Sequence, residues 1–203
     1  MSSFHQPALP YGRQTITDAD IAAVVAVMHS PFLTQGPAVP AFEKAVASRV
    51  FASYGVAVNS ATSALHLACL ALGLRAGLRL WTSPITFVAS ANCGRYCGAD
   101  VDFVDIEPST GLMSVSALSA KLEAAEREGT LPDVVIPVHL CGTSCDMASI
   151  YELSLSYGFS IIEDASHAIG ARYQGSPVGC CAYSNITVFS FHPVKIITTG
   201  EGG

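Results

Sequence analysis

Residues 133–164 read DVVIPVHLCGTSCDMASIYELSLSYGFSIIED. A β-branched apolar run over 133–140 opens the segment, apolar positions at helical spacing follow over 147–157, and a second β-branched run covers 159–163. Near-continuous apolar runs of this length suit strands buried on both faces, and the spacing between them is that of a crossover helix. The segment therefore reads as a βαβ unit.

The same alternation extends outward in both directions. Upstream, a capped helix is expected from Thr17 and Asp20, with apolar positions at Ile21, Val24, Val25 and Met28 and a stop at Pro31. Further helices are expected over 40–50, 59–72 and 87–97, with strands over 54–58, 80–83 and 101–106. A polar-faced helix over 116–128 is ended by Gly129, and a last strand falls over 186–191. Strands alternating with helices predict an α/β fold, a mostly parallel sheet between helices, with ligands at the carboxyl ends of the strands.

Half of the 203 residues are hydrophobic, 13% are charged, and the formal net charge is −6. So few charges imply that much of the chain is buried. No basic tract marks a nucleic-acid partner, no apolar run approaches the roughly 20 residues of a membrane span, and no secretory signal is read at the N-terminus. The seven cysteines are expected as buried thiols in a reducing, cytoplasmic compartment, with no metal bound.

Three lysines occur in the chain. Lys44 and Lys121 sit beside Glu43 and Glu123 in helical text and read as solvated faces. Lys195 stands alone, with no charged residue between it and Arg172. A desolvated lysine loses proton affinity and becomes the nucleophilic amine that a Schiff base needs, although a surface lysine after a strand would look the same. Asp164 follows the strand in SIIEDASHAIG (160–170) and could keep a pyridine nitrogen protonated, or could be a turn aspartate. His167 reads equally as a contact to such a ring or as a structural hydrogen bonder.

Ser60, Thr62 and Ser63 in NSATSALHLA (59–68) begin an apolar helix, where free N–H groups favour a phosphate, and Ser190 could add a donor. Phe87 in WTSPITFVAS (81–90) could lay its ring on a flat cofactor or fill the core. Each signal is weak alone. Together they fall at predicted strand ends of one sheet and suit one cofactor, pyridoxal 5′-phosphate.

NSATSALHLA, SPITFVASAN, EDASHAIGA and FSFHPVKIITTGEGG together resemble the DegT/DnrJ/EryC1/StrS family of sugar aminotransferases. The segments LPYGRQTITDADI (9–21) and FLTQGPAVPAFEKAVA (32–47) are most similar to its pseudaminic acid branch. The likeness runs from about residue 9 to 203. It implies the large domain of the aspartate aminotransferase fold, fold type I, over 36–203, after an N-terminal helical arm with a substrate-side loop over 1–35. It also implies that the fold is incomplete at the C-terminus, that a small domain is absent, and that this stretch alone is weakly active or inactive.

The implied reaction is amination of C4 of a UDP-linked 4-keto-6-deoxy-N-acetylhexosamine with L-glutamate as donor, in a homodimer. Lys195 would be the Schiff-base lysine and proton carrier, and Asp164 the partner of the pyridine nitrogen. Phe87 would stack on the ring. Ala61, Thr62 and Ser190 would hold the phosphate or lie beside the sugar nucleotide. Tyr11, Pro31, Phe32, Leu33 and Thr34 match substrate-lining positions. His167 stands where the family often has glutamine. Retention of Lys195, rather than the histidine of the family's dehydratases, implies amino transfer. GLRAGLRLW (73–81) departs from the family's Gly-Asp turn and reads as a changed surface turn.

Three other readings compete. A non-catalytic binding or interaction module could keep the same fold. A nucleotide-dependent oxidoreductase would need a G-x-G-x-x-G turn after its first strand, which is absent. A zinc hydrolase would have to build on His139, Cys141 and Cys145, which are few and loosely spaced.

Overall fold

A computed structural model describes residues 12–203. Helix α1 (Asp18–Met28) starts with a capping box in which Thr17 and Asp20 bond each other's backbone N–H. It buries none of its residues, so the apolar positions expected to pack stand exposed. Helix α2 (Ala38–Val50) and helix α3 (Ala61–Ala71) follow. Strand β1 (Arg79–Thr82), helix α4 (Ala89–Tyr96) and strand β2 (Asp100–Phe103) come next. Helix α5 (Val115–Glu128) ends at Gly129, whose φ of 66° is the left-handed conformation that glycine accepts readily. Strand β3 (Val134–Ile136), helix α6 (Met147–Tyr157) and strand β4 (Ser160–Asp164) complete the βαβ unit read from residues 133–164. A small hairpin of β5 (Arg172–Tyr173) and β6 (Ser176–Pro177) precedes the last strand, β7 (Ile186–Val188).

The main sheet has the order β2-β1-β3-β4-β7, and every pairing in it is parallel. Side chains alternate across it. Leu80, Val134, Ile136 and Ile162 point to one face and pack with Leu65 and Cys69 of α3 and Cys93 of α4. Trp81, Val135 and Ile161 point to the other and meet Leu118 and Leu122 of α5 and Ile150 of α6. The result is a three-layer α/β arrangement, as expected from the alternating pattern. A third cluster joins α2, through Val50, to Ala165, Val178, Phe189 and Phe191.

Three expectations need correction. Residues 54–58 form no strand: Tyr54 and Val56 are exposed, and only Val58 pairs, exchanging N–H···O=C bonds of 3.0 and 3.1 Å with Gly203. β-branched residues do not make a strand where no neighbouring strand receives them. The strand expected over 133–140 is broken after Ile136, where Pro137 brings no N–H, and pairing continues only as a single parallel bridge of Val138 with Asp164. The β5–β6 hairpin was not expected, because its turn is Gln174-Gly175, both at positive φ (48° and 83°), rather than the usual Asn-Gly. The GLRAGLRLW turn is exposed over 75–77, on the surface as expected.

Strand order reverses at β1, whose two neighbours are β2 and β3. In open parallel sheets the crevice at such a point, beyond the carboxyl ends, is where ligands bind.

Candidate active site

Asp164 is the last residue of β4, and only 4% of it is exposed. Both carboxylate oxygens are gripped. Ser90, on α4, donates to Oδ2 at 2.6 Å, and Ser166 donates to Oδ1 through its hydroxyl at 2.6 Å and its N–H at 3.2 Å. Since Ser90 gives its proton to Asp164, the Thr86 hydroxyl 2.7 Å away is the donor to Ser90. The carboxylate is thus fixed from two elements before any ligand arrives. Sequence reading missed Ser90, Thr86 and Ser166. Only Ser166 left a local trace, the Asx-turn spacing of two residues.

Lys195 lies in the turn after β7, where its N–H bonds the His192 carbonyl at 2.9 Å. The side chain is half-buried. Burial pushes its amine below the ordinary lysine value, and the negative charge of Asp164 acts the other way. At pH 8, without added cofactor, an amine-acylating reagent should therefore modify Lys195 several-fold faster than Lys44 or Lys121, as read by peptide mass spectrometry. Equal rates would mean that Lys195 sits in ordinary aqueous surroundings.

His167 accepts the Cys141 N–H at Nδ1, at 3.3 Å. That bond places the ring proton on Nε2, leaving one N–H donor free. Burial first, and then the charge of Lys195, lower its pKa against the opposing pull of Asp164, so the ring is neutral near pH 7.

Ser60 caps α3 by accepting the Ser63 N–H at 3.2 Å, so Ala61 and Thr62 form the first turn, whose N–H groups have no intrahelical acceptor. The closing glycines meet this turn. A Cβ on Gly203 would lie 2.4 Å from the Ala61 nitrogen, so no other residue fits there without a shift of backbone. This contact accounts for Gly203, whereas Gly200 is at φ 85° and Gly202 at φ 154°.

Ala61, Thr62, Phe87, Asp164, His167, Ser190 and Lys195 line one cavity of about 340 Å³ at the carboxyl ends of β1, β3, β4 and β7. Phe87 is 72% exposed, so it is no core residue. Pro31, Phe32, Leu33 and Thr34 are exposed and do not line this cavity, and Tyr11 lies outside the described residues. His139, Cys141 and Cys145 do not converge on a metal. His139 uses both ring nitrogens on protein partners, and among the described residues no group of three or more ligating side chains could hold an ion. A larger hollow of about 690 Å³ beside β7 is walled mainly by apolar side chains such as Phe42, Val46 and Leu67, and its carboxylate, Glu43, accepts the Ala57 N–H.

The cavity's donor set fits pyridoxal phosphate. It offers a half-buried amine, a fixed carboxylate, free N–H groups with hydroxyls, and an exposed aromatic ring.

The model of the DegT/DnrJ/EryC1/StrS aminotransferase family matches residues 14–203. The chain is 40% identical over 195 residues to a UDP-4-amino-4,6-dideoxy-N-acetyl-beta-L-altrosamine transaminase of Campylobacter jejuni, covering 96% of this chain and 50% of that protein. Helicobacter pylori PseC, an aminotransferase of pseudaminic acid biosynthesis, superposes with a TM-score of 0.85 at 31% identity, over 95% of this chain and 50% of PseC. Spr1654 of Streptococcus pneumoniae, solved in its PLP form, gives 0.84 at 30% identity, over 96% of this chain and 52% of its own. The chain spans about half the length of the curated relatives it matches.

Proposed function

The chain belongs to the DegT/DnrJ/EryC1/StrS aminotransferase family, whose cofactor is pyridoxal phosphate, and on that premise we propose that the protein aminates C4 of a UDP-linked 4-keto-6-deoxy-N-acetylhexosamine, with L-glutamate as amino donor. The observation that carries this reading is the placing of Lys195 and Asp164 on one cavity at the sheet's switch point. The likeness to the altrosamine transaminase supports the choice of sugar.

When bound, pyridoxal phosphate supplies an aldehyde that condenses with amines and a ring that accepts electrons. In this reading the first turn of α3, at Ala61 and Thr62, and the Ser190 hydroxyl hold its phosphate, and Phe87 covers one face of the ring. Asp164, fixed by Ser90 and Ser166, keeps the heterocyclic nitrogen protonated. His167 offers its Nε2–H as donor toward the cofactor. Lys195 is the attachment point. Once released, its Nζ takes the proton from Cα of the amino donor and later delivers one to C4 of the sugar. The lowered pKa of Lys195 suits both transfers, since a base works best with a pKa near the working pH.

The apolar residues exposed on α1, with Phe32 and Leu33, support a protein partner, which we propose is a second copy of the chain. Tyr11 and residues 31–34 would then meet the sugar nucleotide across that interface. Seven free thiols suit a reducing compartment, and we propose the cytoplasm. Among the described residues no helix is long and apolar enough to cross a membrane.

Incubating the purified protein with pyridoxal phosphate, L-glutamate and UDP-2-acetamido-2,6-dideoxy-β-L-arabino-hex-4-ulose should yield 2-oxoglutarate and the 4-amino sugar in equal amounts, as read by mass spectrometry. A protein extended to the full length of these relatives that binds the cofactor yet forms neither product, with glutamate or any other amino acid, would be a binding module instead.

A further inference from the structure

Behind Asp164, on the opposite face of β4, lies a second buried carboxylate with no part in the scheme above. Glu163 is 5% exposed. Its Oε2 lies 2.7 Å from His139 Nε2, and its Oε1 accepts the hydroxyls of Ser184 and, at 3.0 Å, Thr187. The Cys145 N–H donates to His139 Nδ1 at 3.2 Å. An imidazolium would set two donors against each other at that contact, so His139 is neutral, protonated on Nε2, and donates to Glu163. The cluster therefore carries one net negative charge.

The same segment holds the backbone of Asp164. The His139 N–H donates to the Asp164 carbonyl at 3.0 Å, and the Asp164 N–H donates to the Pro137 carbonyl at 3.0 Å. His139 also forms part of the cavity wall.

We propose that Glu163 and His139 are positioning residues: together they hold Asp164 in register, and the buried charge of Glu163 strengthens the hold of the site on a protonated cofactor. The inference rests on the cofactor site described above. Burial alone would raise the Glu163 carboxyl, but the donors His139, Ser184 and Thr187 hold it below the usual glutamate value. The titratable groups around it are His139, Asp164 beyond the strand, the Cys145 thiol, which burial first and then Glu163 push up to about 12, and Cys181, whose Sγ lies 3.5 Å from Thr187 Oγ1. None of them is a cation that would cancel the charge.

The test is a pH titration of the visible absorption band of the protein loaded with pyridoxal phosphate. Removing a nearby negative charge disfavours a protonated form, so the Glu163→Gln variant should show its midpoint about 0.5–1 pH unit lower, with cofactor affinity weakened several-fold. Glu163→Asp keeps the charge and should keep the wild-type midpoint despite looser packing. A purely structural pair predicts the reverse: both variants lose stability alike and neither midpoint moves, which would overturn the proposal. If the wild-type protein shows no band, the cofactor site itself fails and this inference with it. Should Glu163→Gln not fold, ¹³C NMR of the Glu163 side-chain carboxyl in the wild-type protein decides: it is expected ionised at pH 7, and a protonated carboxyl there would contradict the proposal.

Discussion

Replacing Lys195 with alanine is expected to reduce glutamate-dependent amination by at least about 10³-fold, because one side chain provides both the covalent attachment and the proton transfer. The fold should survive. Lys195 lies in an exposed turn after β7, and its backbone contact to His192 does not involve the side chain. The variant should keep its circular dichroism spectrum and still bind pyridoxal phosphate, without the absorption of an attached cofactor. A small amine such as ethylamine should restore part of the rate. Undiminished turnover would remove Lys195 from the chemistry.

Asp164→Asn should lower the rate by about 10²–10³-fold, the scale of losing one fixed charge opposite a developing one in a dry site. The substitution keeps the size of the side chain, and the Ser90 and Ser166 hydroxyls can rotate to meet an amide. Its effect should therefore appear in kcat, with little loss of thermal stability. A variant that unfolds, or that loses only affinity for the sugar, would argue that Asp164 is a strand-end residue and nothing more.

How much of this could be read from the sequence depended on whether a signal was local. β3, α6 and β4 are local: each buries a run of apolar residues, and the period tells strand from helix. Residues 54–58 carry the same β-branched composition but face no neighbouring strand, a condition no window of sequence contains. At the site, Asp164 stood out because it follows an apolar strand run and Lys195 because no charged residue lies between it and Arg172, and the structure brings them to one cavity with Ser60, Ala61, Thr62, Phe87, His167 and Ser190.

The role of His139 left no local trace: beside Cys141 and Cys145 it offered only a faint metal motif, whereas its partner is Glu163, 24 residues on, brought near by the pairing of β3 with β4. Ser90 meets Asp164 across 74 residues in the same way. Residues 31–34 were named through likeness to relatives, and within a single chain they stand apart from the cavity.

The most direct test of the account is borohydride reduction of the protein with pyridoxal phosphate, followed by peptide mapping. A pyridoxyl adduct on Lys195 alone, lost when the cofactor is omitted, is the predicted result. An adduct spread over Lys44 and Lys121, or none on Lys195, would contradict it.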